Sequence, residues 1–387
     1  MIYGNRFYKY GVFESTDTIS IDIDNCMSLF SEFCKESSDE VIKENLDKAL
    51  DKLDTKVEHV YDIITAKITE MLNKFIDAIS HAIDILKLKV LKLGNKIINA
   101  IDSKINGKFN YSTSDISQYN GANLINFESA LQEKAGENAS EYLYAMNISK
   151  IEYIKVDNTI DDLLDLVQDI WESYSKFLKY YDIDDMKQKA QEVLNKYVGD
   201  YKKIYDKSVT HISSKIGSTY YTLKDDLEQL PSIKNGNKDS TENGFFEIIK
   251  VDVSSKKGLV DLRDGVRSEL SDSENILKNI IQIKDSTMKL KRKVDTLGVK
   301  LNANKRLAAS NNNHILYWGE NIDVPKQALS DIAHICEYQI KCVSEEIKSI
   351  LYINKHNFSL AIRYIKKWGE EKEASTNSLG IEDKAGK

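Results

Sequence analysis

The chain has 387 residues, a net charge of −7 and 30% charged residues with both signs interleaved. That balance argues against a nucleic-acid surface as the main function, and a hydrophobic content of 41% suits thin helical rods better than one large sphere. Proline narrows the fold class further: only Pro231 and Pro325 occur, where an average usage of about 5% would give about 19. Proline lacks an N–H and clashes with the preceding helical turn, so a chain that excludes it over so long a stretch reads as one of very long helices.

Residues 1–37 read as an N-terminal arm followed by a strand. Tyr3, Phe7, Tyr8, Tyr10 and Phe13, spaced by Gly4 and Gly11, are too aromatic to stand alone in water. They form either a docking arm or a strand packed on its own domain. Met1 leads into polar residues with no apolar signal segment, so synthesis in a reducing cytoplasm is expected. Thr18–Asp24 alternates apolar and polar residues, the pattern of a half-buried strand.

A first long helix is predicted from Ser38, a good N-cap, to Ile105, before the Asn106-Gly107 stop. Its stripe runs Leu46, Leu50, Leu53, Val57, Val60, Ile64, Ile68, Met71, Phe75, Ala78, Ala82, Leu86, Val90, Leu93, Ile97, Ile101. The stripe advances by about 3.67 residues per step, which gives a straight or slightly right-handed bundle. At 1.5 Å per residue the helix would be about 100 Å long, with Gly94 as its weak point. Residues 106–157 read as an insertion of loop and short helices ending in a strand, Ile151–Val156.

A second helical region follows from about Asn158 to Leu230, with a kink at Asp182–Asp185 and a length close to that of the first. Together they predict one antiparallel hairpin over 38–231. The polar run 232–244 is the best linker. Residues 245–253 read as a strand, and Glu247–Asp252 nearly repeats Glu152–Asp157. A third helix is predicted from Ser271 to about Asn311, carrying a strict heptad seam of Ile276, Ile280, Ile283, Thr287, Leu290, Val294, Leu297 and Leu301. A fourth runs from Pro325 to Trp368, with a break at Asn354–Asn357, and pairs with the third in a second hairpin within 245–369. Residues 370–387 read as a disordered polar tail. The fold class is therefore mainly α: an elongated antiparallel bundle of coiled-coil hairpins with a small β element from strands near 18–24, 151–156 and 245–253.

No catalytic motif of the phosphate-loop, dinucleotide, zinc-protease or nucleophile-elbow type occurs. Cys26, Cys34, Cys336 and Cys342 lack redox or zinc spacing and read as small buried apolar residues. His334, Cys336 and Cys342 do not share one helical face, so no metal site is expected. Asn235, Asn237, Asp239 and Thr241 begin like a calcium loop, but Ser240 and Phe246 stand where Gly and Glu are needed, and a plain linker is preferred. Asp161, Asp162 and Asp165 suit the first turns of a helix and read as solvated. Phe75–Ile105, with Lys87, Lys89, Lys92 and Lys96, fits a bundle core with snorkelling lysines and, less well, a membrane-seeking helix. No uninterrupted apolar run of transmembrane length occurs. Of the 21 tyrosines, Tyr197, Tyr201 and Tyr205 lie where an interface would use them.

The sequence thus points to a non-enzymatic strut without cofactors, partnered by itself or by other subunits of a large assembly. A bacteriophage virion component (head, neck, tail, baseplate or internal scaffold) is the leading setting. An α-helical pore-forming toxin using 75–105 and a cytoplasmic coiled-coil adaptor are the alternatives.

Overall fold

The computed structural model of the chain describes residues 19–31, 58–106, 122–126, 156–170, 172–173, 183–209, 247–251, 256–309 and 323–382. The aromatic arm, the helix before residue 58, the strand at 151–155 and the linker at 232–244 lie outside these residues.

Ile19, Ile23, Cys26 and Phe30 recur at helical spacing and are buried, and residues 19–31 form a helix, α1. This corrects the strand expected at 18–24. The alternation of Ile19, Ile21 and Ile23 is only a short window on a helical stripe, and Ile21 is 60% exposed. Asp22 of α1 pairs with Lys89, and Asp24 pairs with Lys355 at 2.6 Å, so α1 bridges two other helices.

The first long stripe forms α2 (Glu58–Asp84), a π turn (Ile85–Val90) and α3 (Leu91–Ile105) in one continuous rod. From Ile64 on, every stripe residue is buried except Met71, which is partly so. The π turn has a cause in the spacing. Ala78, Ala82, Leu86 and Val90 are four apart, and four residues overshoot one α-helical turn by about 40°. Accommodating an extra residue in one wide turn takes up that drift, and Leu93, Ile97 and Ile101 return to the seam, buried.

Two strands, β1 (Ala122–Asn126) and β2 (Glu247–Val251), pair antiparallel with Ala122 opposite Val251 and Asn126 opposite Glu247. The β element is therefore not the one expected. Residues 247–251 are extended, but their partner comes from a segment read as loop, and 18–24 is helical.

Residues 156–170 form α4 and Ile183–Ile204 forms α5, which continues through a π turn at Tyr205–Val209. The Tyr197 hydroxyl lies 2.9 Å from Ser173 Oγ and donates to the Asp169 carbonyl at 3.2 Å. In one straight helix, residues 24 apart would sit about 36 Å apart. The second helical region is thus no long rod; it folds back on itself, α4 against α5. Of the acidic residues read as a kink, Asp184 and Asp185 lie at the start of α5, and Asp182 lies outside the described residues.

Helix α6 (Lys256–Ala309) begins well before the Ser271 start expected, because Leu259, Leu262, Val266 and Leu270 extend the buried stripe past Gly258 and Gly265. Helix α7 (Asp323–Glu382) is unbroken at Asn354–Asn357 and runs on through the segment expected as a tail. That segment is rich in Glu, Lys and Ala, residues that favour helix.

Thr65 faces Gly298, Thr69 bonds Asp295, Gly94 abuts Leu270 and Asp102 pairs with Arg263. Each step up α2–α3 is matched to within one residue by a step down α6, so the two rods are antiparallel in one register from Thr65 to Asp102. Among the described residues the long first helix runs against α6, where the sequence predicts the second helical region. Helix α7 packs on α2, α3, α5 and α6. The sheet rests at the end where α6 begins, with Leu124 against Gly265.

Candidate functional site: the buried polar faces of α7

From Ala328 to Phe358, α7 is buried on nearly every side. Ile332, Ile335, Ile340, Val343, Ile347, Ile350 and Leu351 supply its apolar flank. Around the same helix Glu337, Lys341, Ser344, Glu345 and Lys348 recur at spacings of three and four residues and are also buried. Burying a charge is costly unless it is paired. Here the pairing is internal: Lys341 Nζ lies 2.5 Å from Glu337, and Lys348 Nζ lies 2.5 Å from Glu345. A glutamate one turn N-terminal to its lysine is the favourable order. Lys341 also lies 5.6 Å from the centre of the Tyr338 ring.

A second polar contact joins α7 to α6. The Asn354 side-chain amide donates to Ser273 Oγ at 2.8 Å, to the Ile350 carbonyl at 2.8 Å and to Glu269 at 3.4 Å. This amide replaces the break expected at 354–357 with a cross-helix link.

Two carboxyls sit where the α4–α5 hairpin meets α6 and α7: Asp331, which is buried, and Asp157, half-buried with its Oδ1 enclosed. Tyr201 donates to Asp331 Oδ2 at 2.6 Å, and Gln327 donates to the other oxygen at 3.3 Å. Burial raises the Asp331 carboxyl above its ordinary range, against the pull of these two hydrogen bonds and of His334. Burial and the Asp331 contact raise Tyr201 as well. Asp157, in the first turn of α4, is pushed from 3.8 up to about 6 by burial and then by the neighbouring Asp161. Lys293 of α6 pairs with Asp161 at 2.5 Å. Asp161, read as solvated, is therefore an inter-helix contact.

Among the described residues the thiols offer no ready nucleophile; Cys34 lies outside them. Burial pushes Cys26 and Cys336 up to about 12, with the Asp157 charge adding to the effect at Cys336, and raises Cys342. Reactive cysteines need the opposite shift.

The residues singled out in the sequence fall as follows. Ile280, Ile283, Leu290, Val294 and Leu297 are buried in the core and Ile276 packs against it; the Leu301 side chain lies outside the described set. Tyr197 is buried between α4 and α5 with Leu166 and Ile170. Tyr201 is half-buried on Asp331, and Tyr205, 39% exposed, stacks at 5.9 Å on Tyr201. Two of the three tyrosines placed at an interface thus hold the chain's own helices together. Tyr3, Phe7, Tyr8, Tyr10 and Phe13 lie outside the described residues. Sequence reasoning missed Asp157, Asp331 and the Glu337–Lys348 series. The last was detectable as charged residues recurring on one stripe, but such a stripe ordinarily faces water.

Comparison with protein families, with curated proteins and with solved structures finds no match to this chain.

Proposed function

We propose that this chain is a non-enzymatic structural protein, a rigid helical strut bound to copies of itself or to other subunits of a large assembly. The observation that carries this reading is the single register kept between α2–α3 and α6 from Thr65 to Asp102, a span of about 55 Å at 1.5 Å per residue. Side chains interlocked along that length resist bending because tightly packed interiors yield little. The buried thiols and internally paired charges of α7 support the non-enzymatic half of the proposal. The setting that fits best is a bacteriophage particle. That part rests on the long helices, the aromatic N-terminal segment and the lack of a catalytic motif.

The pore-forming alternative requires Phe75–Ile105 to leave the bundle. Its apolar stripe is buried there, and among the described residues no helix is long and apolar enough to cross a membrane. Small-angle scattering with light-scattering mass, paired with dye release from liposomes, tests the reading. The strut predicts a maximum dimension of at least about 90 Å, the length of α7 alone, and no dye release at any pH. Release would favour the toxin, and a compact particle would remove the strut. An antibody to the chain that fails to label purified phage particles from the source culture would remove the virion setting and leave the adaptor.

A further inference from the structure

Helices α4 and α5 hold to each other through Leu166, Ile170 and Tyr197. They hold to the rest of the bundle through an apolar seam (Val156, Ile160, Leu163, Val167) with a carboxyl group at each of two contacts. We infer that the α4–α5 hairpin is an acid-tightened latch, seated on α6 and α7 through Asp157 and Asp331 and loosened when Asp157 is ionised.

At the first contact, Asp157 has one oxygen bonded to Ser286 of α6. Its Oδ1 is buried with no hydrogen-bond partner among the described residues. The groups facing it are Asp161 on its own helix, Lys289 and Lys293 on α6, and Cys336 on α7. Lys293 already pairs with Asp161, and Cys336 is a neutral thiol. Asp161 adds a second negative charge one turn away. An ionised Asp157 therefore sits in the joint of three helices with no close ion pair among the described residues, drawn only by the more distant charges of Lys289 and Lys293, whereas a protonated one could donate a hydrogen bond and carry no charge.

At the second contact, Asp331 of α7 meets Tyr201 of α5, with Gln327 and His334 beside it on α7 and Tyr205 next to Tyr201. Tyr201 and Gln327 are neutral donors that keep the joint formed when Asp331 is charged. Asp331 is thus the weaker of the two switches and Asp157 the stronger.

The direction follows from linkage. Both carboxyls are raised on folding, so their neutral forms favour the seated hairpin. For Asp157 that contribution is fully present below about pH 3.8 and is lost as pH rises through about 6. Neutral pH leaves the hairpin seated by its apolar seam and the Tyr201 bond, and acid tightens it.

Hydrogen exchange read by mass spectrometry on the full chain, from pH 5 to pH 8, tests this. Rates are corrected for the intrinsic effect of pH, and protection of 156–170 and 183–204 is divided by that of 276–297 in α6. The expected result is a fall in this ratio of about tenfold across the range. Asp157 passes from mostly neutral to fully charged in the seated hairpin over that interval, while in the open hairpin it is charged throughout; pH 5 lies about one unit below the seated value of about 6, and one unit is about tenfold in the equilibrium between the two. Asp157→Asn should abolish most of the fall and raise protection at pH 8. Tyr201→Phe should lower protection of α5 at every pH while keeping the slope set by Asp157. A ratio independent of pH in the wild type overturns the latch, and so does an undiminished slope in Asp157→Asn.

Discussion

Helices α2–α3 and α7 both run along the bundle, and they differ in how they are buried. The first presents one apolar stripe to α6 and keeps Lys87, Lys92 and Lys96 on its exposed side. The second is enclosed on nearly all sides from Ala328 to Phe358 and takes Asp331, Glu337, Lys341, Glu345 and Lys348 inside with it. A helix with a wet side can discard its charges there, so its hydrophobic period and its burial coincide. A helix with no wet side must neutralise its charges in place, and α7 does so along its own axis through Glu337–Lys341 and Glu345–Lys348.

The sharpest way to break this contrast is to remove one of the inner charges. Lys341→Ala takes the cation away from the Glu337 carboxylate, which is 0% exposed. Losing one partner of a buried pair costs about 3–5 kcal/mol, which chemical denaturation would read as a shift in midpoint. Replacing both residues by leucine should recover most of the loss, because a well-packed apolar pair often equals a buried ion pair. A Lys341→Ala variant as stable as wild type would mean that α7 has a wet side after all. On α6, the rod that faces both helices, Leu290→Asp places a carboxylate in the apolar seam. It should cost several kcal/mol, and if it melts like wild type the seam is misplaced.

Gly94 probes the first rod in the same way. It reads in the sequence as a weak point, yet it is a close approach between the rods: a Cβ there would fall 2.4 Å from one Leu270 methyl and 2.8 Å from its branching carbon. Because the whole end of a buried leucine is in the way, Gly94→Ala should destabilise by about 1–3 kcal/mol through overpacking. At Gly265 the obstruction is one Leu124 methyl at 2.6 Å, with the next carbon at 3.9 Å. Gly265→Ala should therefore cost clearly less, and equal losses in the two variants would refute a tight approach confined to Gly94.

Asp157 tests the hairpin joint. With its carboxyl raised to about 6, the charged form opposes folding at neutral pH and the neutral form does not. Asp157→Asn should add about 1–2 kcal/mol at pH 7.5, a figure reduced for partial solvent exposure, and close to nothing at pH 4. A gain that is the same at both values would point to packing and not to charge.

These contrasts also mark what could be read in advance. The stripe from Ile64 to Ile101 and the seam from Ile280 to Leu297 were legible because each is an unbroken helical period with polar residues between. The strand-like alternation at 18–24 misled because seven residues cannot separate period two from a stripe that continues to Cys26 and Phe30. The fold-back of the second helical region was hidden because α4 and α5 each carry a helical period, and nothing in a period says whether the chain between two stretches runs straight or returns. The contacts of Tyr197 with Ser173, Asp169, Leu166 and Ile170 show it. Asn354 read as a helix breaker because an isolated Asn competes with the backbone; in the fold its amide bonds across to Ser273. The buried charges of α7 went unread because their burial depends on neighbours that no local window contains.

The smallest effect discriminates best between the rods and the hairpin. Gly298 lies in α6, where a Cβ would meet Thr65 at an ordinary 3.7 Å, and Gly199 lies in α5 with nothing within 4 Å of the same position. Alanine lowers the backbone entropy that glycine loses on folding, so each Gly→Ala change should stabilise its helix by about 0.5–1 kcal/mol. The gain at 298 belongs to a rod that unfolds with the whole bundle and should raise the global denaturation midpoint. The gain at 199 belongs to a hairpin held by fewer contacts, which can open by itself below the global unfolding free energy. It should appear as slower hydrogen exchange in 183–204 with little change in the global midpoint. If Gly199→Ala raises the midpoint as much as Gly298→Ala, the hairpin and the rods form one cooperative unit and the contrast between them disappears.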